Sequence, residues 1–147
     1  MSWLSSLLGK RSTTTKRLTA GAPTLFSELK RQCEDLMDAD CDIRLGDRNY
    51  VSISDQEAFS ILSSIQTLYR PGLNDCDDFA NLAKGEAIRR QRRGSFDNKI
   101  AAFGQAWLSR HAVNFYLRND GKICFINNDG SPYDHTLLHG EITLLLA

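Results

Sequence analysis

Apolar positions along this 147-residue chain change period several times, and each change marks an element. Leu25, Phe26, Leu29, Cys33, Leu36 and Met37 recur at helical spacing, with Thr24 placed to cap a helix that starts at Leu25 and Pro23 just ahead of it. Cys41–Leu45 and Asn49–Ile53 alternate like strands around Gly46-Asp47-Arg48, which predicts a hairpin. Ser54-Asp55-Gln56-Glu57 is a capping box, and the helix it opens turns Phe59, Ile61, Leu62, Ile65 and Leu68 inward and ends near Tyr69. Pro71-Gly72 then forces a loop. A further helix runs from about Asp77 to Arg93, with Phe79, Ala80, Leu82, Ala83 and Ala87 as its buried side.

Strand-like stretches dominate the remainder. Ile100–Leu108, His111–Leu117 and Lys122–Asn127 follow one another, and Asn119-Asp120-Gly121 predicts a tight hairpin between the last two. Glu141–Ala147 supplies a final strand. Helices first and strands later give an α+β fold, in which the helix following residue 76 packs against an antiparallel sheet.

Ahead of Pro23 the pattern is different. Residues 11–22 are polar and aperiodic and read as a linker, so the folded domain is expected to span 23–147 and the N-terminal segment 1–22. Trp3, Leu4, Leu7 and Leu8 share a helical face, which suits a frayed terminus or a small helix docking a partner or a membrane surface. Positive charge follows this apolar run instead of preceding it, so no secretory signal is indicated, and no stretch is long enough for a membrane span. A cytoplasmic location is the expectation.

Composition narrows the function classes. Zero net charge argues against nucleic-acid binding through bulk electrostatics. Four cysteines without a CxxC pair argue for a reducing compartment over a disulfide framework. Cys33, Cys41 and Cys124 fall on apolar faces or strands and read as small core residues.

Cys76 is different, because Asp75, Asp77 and Asp78 surround it where a loop becomes a helix. Free N–H groups at a helix start favour a thiolate, and an imidazole within reach favours it further. The flanking aspartates oppose it unless a cation offsets them. They read equally as calcium ligands or as helix caps. His111 opens a strand on the face of Val113, Phe115 and Leu117. Downstream, alternation puts Asn127 on one face with Ile123 and Phe125, which favours it over Asn128 as the group orienting the histidine, with Asn128 the alternative. Thiol, imidazole and amide in this order suit a nucleophile, its base and the orienter. His135 and His139 are four apart but lack the zincin glutamate, and Gly140 follows at once, so a zinc site is disfavoured.

Asp75-Cys76-Asp77-Asp78-Phe79-Ala80 followed by His111-Ala112-Val113-Asn114 and a strand with a polar end resembles the papain/transglutaminase-like cysteine peptidases. It is similar to the bacterial transglutaminase-like cysteine proteinases and to the C-terminal protease domain of a mushroom agglutinin. The resemblance covers about residues 54–130. It implies a calcium-dependent peptidase acting on a protein or peptide, with Cys76 as nucleophile, His111 as base and Asp75, Asp77 and Asp78 as calcium ligands. The sequence departs from those families at the third position, where they carry Asp or Glu and this chain has Asn127-Asn128. A hydrolase is therefore the first expectation, and acyl transfer shares its first step. The alternative is a binding or inhibitory protein with a decayed site on the same fold. The short amphipathic N-terminus followed by a polar linker is similar to small phage-encoded proteins, for which the host cytoplasm and a phage–host interaction are implied.

Overall fold

The computed structural model describes residues 16–66, 76–134 and 140–147. Local signals place most of its elements. Helix α1 (Ala22–Cys33) carries Pro23 in its first turn, where a missing N–H costs nothing, and its N-cap is Gly21. Helix α2 (Asp55–Ser64) opens on the complete capping box: Glu57 N–H donates to Ser54 Oγ at 3.1 Å and Ser54 N–H to Glu57 Oε2 at 2.9 Å. Helix α3 (Cys76–Arg92) has Asp77 and Asp78 in its first turn and arginines in its last, matching the helix dipole at both ends.

The strands are β1 (Thr19–Gly21), β2 (Met37–Arg44), β3 (Asn49–Val51), β4 (Phe103–Leu108), β5 (Ala112–Leu117), β6 (Ile123–Ile126) and β7 (Ile142–Leu146). Five of them form one sheet in the order β2-β7-β4-β5-β6. The β5–β6 hairpin pairs Leu117 with Ile123 and Asn114 with Ile126, and Gly121 supplies the left-handed turn residue at φ 88°. The fold is α+β, as expected.

Three expectations about the strands and the linker need correction. The sheet is mixed and not antiparallel throughout, because β7 runs parallel to β2 while pairing antiparallel with β4. The stretches 41–45 and 49–53 do not form a hairpin: β2 joins the main sheet and β3 pairs with β1. Alternation specified two strands correctly but not their partners. The polar stretch before Pro23 is also not all linker. Thr19–Gly21 is a strand, and the Arg17 guanidinium donates to Glu57 (2.5 and 2.7 Å), to Asp97 (3.1 Å) and to the Ser52 carbonyl (3.1 Å). Residues 1–15 lie outside the described part, and so do 67–69, where α2 was expected to end.

Side-chain alternation divides the core between the two faces of the sheet. On one face, Val113, Phe115, Phe125, Ile142 and Leu145 pack with Leu25, Leu29 and Cys33 of α1. On the other, Phe103, Tyr116 and Ile126 pack with Ile61 and Leu62 of α2 and with Phe79, Ala83 and Ala87 of α3. Phe59 and Leu82, expected inside, are exposed. In the sheet centre, Gly104 allows β4 to lie against its neighbours: a Cβ there would sit 2.1 Å from the Leu146 carbonyl oxygen and 2.7 Å from the Phe115 ring. Among the described residues, no helix is long and apolar enough to cross a membrane.

Candidate active site

Cys76 is the first residue of α3 and is half-buried. At 100° per residue it shares a stripe with Ala80, Ala83 and Ala87, all of them buried, so the thiol sits on the sheet-facing side of the helix. Small residues along this stripe let the helix lie close to β4 and β5.

Two polar clamps fix that contact one turn beyond the cysteine. Asn114 of β5 is fully buried, and its Nδ2 donates to the Ala80 carbonyl (3.1 Å) and to the Gly104 carbonyl (3.0 Å). Gln105 of β4 donates from Nε2 to Asn81 Oδ1 (2.7 Å) and accepts from Trp107 Nε1 (3.0 Å). Periodicity and spacing give no role to Asn114, Gln105, Asn81 or Trp107. The only available signal was one asparagine inside the otherwise apolar run Ala112–Leu117.

The path of the chain then positions His111. The C-terminal end of α3 contacts the 3-10 turn Ser95–Asn98, which feeds β4, so β4 retraces the helix toward its N-terminal end. The β4–β5 turn, closed by Leu108 N–H donating to the His111 carbonyl at 2.7 Å, therefore lies toward the Cys76 end of α3. His111 precedes the first β5 residue, so strand alternation does not fix its direction. It is half-buried, 6.1 Å centre to centre from the Tyr133 ring. Burial lowers its pKa below the ordinary 6.5, so at neutral pH it is a neutral imidazole with one nitrogen free to accept a proton.

The two asparagines have different surroundings. Asn127 holds a turn: Nδ2 donates to Ser131 Oγ (3.2 Å) and to the Pro132 carbonyl (3.5 Å), and its backbone bonds Ser131 and Gly130. Asn128 accepts at its carbonyl from Gln66 Nε2, and its buried Oδ1 has no hydrogen-bond partner. The alternation that favoured Asn127 holds only to Ile126, where β6 ends. Of the two amides, Asn128 is the one that keeps a buried oxygen without a partner. Among the described residues, no hydrogen bond joins the side chains of Cys76, His111, Asn127 and Asn128 to one another.

Burial pushes the Cys33 thiol up to about 12 and also raises those of Cys41 and Cys124. Asp75, His135 and His139 lie outside the described residues. Asp77 is half-buried and Asp78 exposed, and as successive helical residues they point about 100° apart. Among the described residues, no group of three or more His, Cys, Asp or Glu side chains could share a metal ion. Asp77 and Asp78 alone fall short of the six to eight oxygens calcium takes. They do fit the helix dipole.

No protein family and no curated protein matches the sequence. Solved structures do match in fold. One is the PSL1a–E64 complex, at a TM-score of 0.75 and 19% identity, with the alignment covering 88% of this chain and 50% of that one. Another is Polyporus squamosus lectin bound to the human-type influenza-binding epitope Neu5Aca2-6Galb1-4GlcNAc, at a TM-score of 0.71 and 18% identity, with the same coverage. The chain thus spans half the length of these proteins and shares its fold with that part of them.

Proposed function

We propose that the chain is a cysteine-nucleophile hydrolase of the papain/transglutaminase-like kind, acting on a peptide or protein amide. The observation that carries this reading is the placement of Cys76: first residue of α3, on the sheet-facing stripe, at the end of the helix toward which β4 and β5 bring His111. One of the proteins sharing the fold was solved with E64, a thiol-directed epoxide, which supports a reactive thiol on this scaffold.

In the proposed reaction, the neutral imidazole of His111 takes the Cys76 proton as Sγ attacks the amide carbon. The oxyanion of the tetrahedral intermediate faces the N-terminal end of α3, where the helix dipole favours negative charge. Collapse of the intermediate breaks the C–N bond, and His111 returns the proton to the departing amine. Water, deprotonated by the same imidazole, then releases the acid; an amine attacking in its place makes the step acyl transfer. The buried, unpartnered Asn128 Oδ1 is the acceptor proposed to take the ring N–H during the reaction and so hold the tautomer. No step here is routed through calcium, which the family resemblance implies; among the described residues, Asp77 and Asp78 alone do not make up its ligand set.

The second reading is a binding protein on the same fold. Asparagine where related sites carry an acid, and a lectin–glycan complex among the fold neighbours, favour it. Labelling with E64 and iodoacetamide, read by intact mass, separates the two. The hydrolase reading expects one adduct, on Cys76, absent from Cys76→Ala. It also expects an acid limb below pH 6.5 that His111→Gln removes, since burial lowers the imidazole pKa. Labelling of Cys76 no faster than a free thiol, at any pH from 5 to 8, leaves the binding reading.

A further inference from the structure

Asn114, Gln105 and Leu146 lie side by side across β5, β4 and β7, and two residues along the strands Ala112, Trp107 and Leu144 do the same. The first row carries both clamps to α3, from Asn114 to the Ala80 carbonyl and from Gln105 to Asn81. Alternation puts the second row on the same face of the sheet, about 7 Å farther toward the β4–β5 turn. Cys76 precedes Asn81 by five residues on a helix that β4 retraces, which places it about 7.5 Å along in the same direction. The thiol and the second row share a level.

That row is unlike the cores on either side of the sheet. Ala112 is buried, but Trp107 and Leu144 are only half-buried and belong to neither core. The one polar group of the indole is already used, because Nε1 donates to Gln105 Oε1 at 3.0 Å. With its N–H taken, the ring offers no hydrogen bond to a polar side chain, whose desolvation would go uncompensated. A flat apolar surface flanked by alanine on one strand and leucine on the other suits a second ring. Offset or edge-to-face contact between rings adds to what burial of the same area gives an aliphatic group.

We propose that Trp107, with Leu144 beside it, determines specificity at the Cys76 site by receiving an aromatic side chain on the residue whose carbonyl the thiol attacks. The substrate class is a peptide with Phe, Tyr or Trp at that residue. This deepens the hydrolase reading and rests on it.

Alkylation by N-acetyl-alanyl chloromethyl ketones carrying Phe, Ala or Lys next to the electrophile tests it. The Cys76 thiolate displaces chloride, intact mass reads the adduct, Cys76→Ala supplies the blank, and each rate is divided by that of the same reagent with a free thiol. Wild type should prefer the Phe reagent to the Ala reagent about ten-fold, and Trp107→Leu should cut that ratio to about three-fold or less. Trp107→Phe, which keeps a ring but cannot donate to Gln105, should retain the preference. Leu144→Ser should lower it while leaving the Gln105–Asn81 contact in place, and answers for Trp107→Leu should that variant not fold. A merely structural role for Trp107 slows all three reagents alike and leaves the ratio unchanged. A ratio that survives Trp107→Leu or Leu144→Ser overturns the proposal, as does one that Trp107→Phe loses, or a wild-type preference for the Lys reagent. Wild type in which iodoacetamide labels Cys76 faster than a free thiol but the Phe reagent has no advantage overturns the subsite alone. Iodoacetamide labelling no faster than a free thiol removes the hydrolase reading and the subsite with it.

Discussion

Replacing Asn114 should loosen the joint between the nucleophile helix and the sheet by an amount the structure lets one work out. Its side chain is at zero exposure and donates to two carbonyls, Ala80 on α3 and Gly104 on β4. Asn114→Ala removes both bonds, about 1 kcal/mol each net, and leaves a small cavity worth about 1 kcal/mol. Against this, Asn114 Oδ1 is buried without a partner, and its removal returns about 1 kcal/mol. The expected loss is about 2 kcal/mol. Asn114→Asp should behave differently. Below about pH 4 the carboxyl is protonated in folded and unfolded chains alike, and its O–H donates to one of the two carbonyls. In the fold, two carbonyl oxygens and the absence of water raise its pKa. The stability that the protonated form provides is therefore fully present at acid pH and is lost as pH rises through the folded pKa. Urea unfolding followed by circular dichroism at pH 4 and pH 7 measures both effects, each variant being compared with wild type at the same pH. A gap between Asn114→Asp and Asn114→Ala that does not widen from pH 4 to pH 7 refutes the reasoning, as does an alanine cost below about 0.5 kcal/mol.

Three further outcomes follow from single contacts. Arg17→Ala should cost about 1–2 kcal/mol in urea unfolding, because its guanidinium ties α2, the 95–98 turn and Ser52 together from a mostly buried position. Burial raises the Glu57 pKa but is outweighed by the bonds from Arg17 and Ser54, so its net shift is downward; the contribution is present above the ordinary value of 4.5 and lost below it, and the Arg17→Ala deficit should shrink in acid. Glu86, held by Arg89 (2.5 and 2.6 Å) and Arg90 (2.9 Å), is lowered to about 2, chiefly by the Arg89 bond; the stability gap between wild type and Glu86→Gln should be full above pH 4.5 and close as pH falls toward 2. Gly104→Ala should cost more than about 3 kcal/mol or prevent folding, measured by melting temperature, since its methyl would overlap the Leu146 carbonyl and the Phe115 ring.

Several features were legible in the residues because their causes are local. The Ser54 capping box, the Gly121 turn and the β5–β6 hairpin each arise from groups within a few positions of one another, and each is present as expected. The start of α3 at Cys76 is equally local, since an acidic first turn and a basic last turn specify both ends of a helix. Phe59 and Leu82 were misplaced for a related reason. Periodicity gives the apolar side of a helix, but how wide a stripe the neighbours cover is decided by those neighbours.

What the sequence could not supply depends on elements distant along the chain. No local signal says that β7, the last strand, inserts between β2 and β4 and pairs with β2 in parallel. That choice comes from two apolar sheet faces that must both be covered, one by α1 and the other by α2 and α3. The same dependence separates the surroundings of Asn127 and Asn128. Alternation along an isolated strand favoured the first, but the strand ends at Ile126, the turn takes up the Asn127 amide, and Asn128 keeps a buried acceptor. Alone, the sequence determined a helix that begins at a cysteine and a hairpin that begins after a histidine. Only the packing of α3 along β4 and β5, through Gln105 and Asn114, brought those two beginnings toward the same end of the molecule, because strand order and helix docking are set by burial across the whole fold.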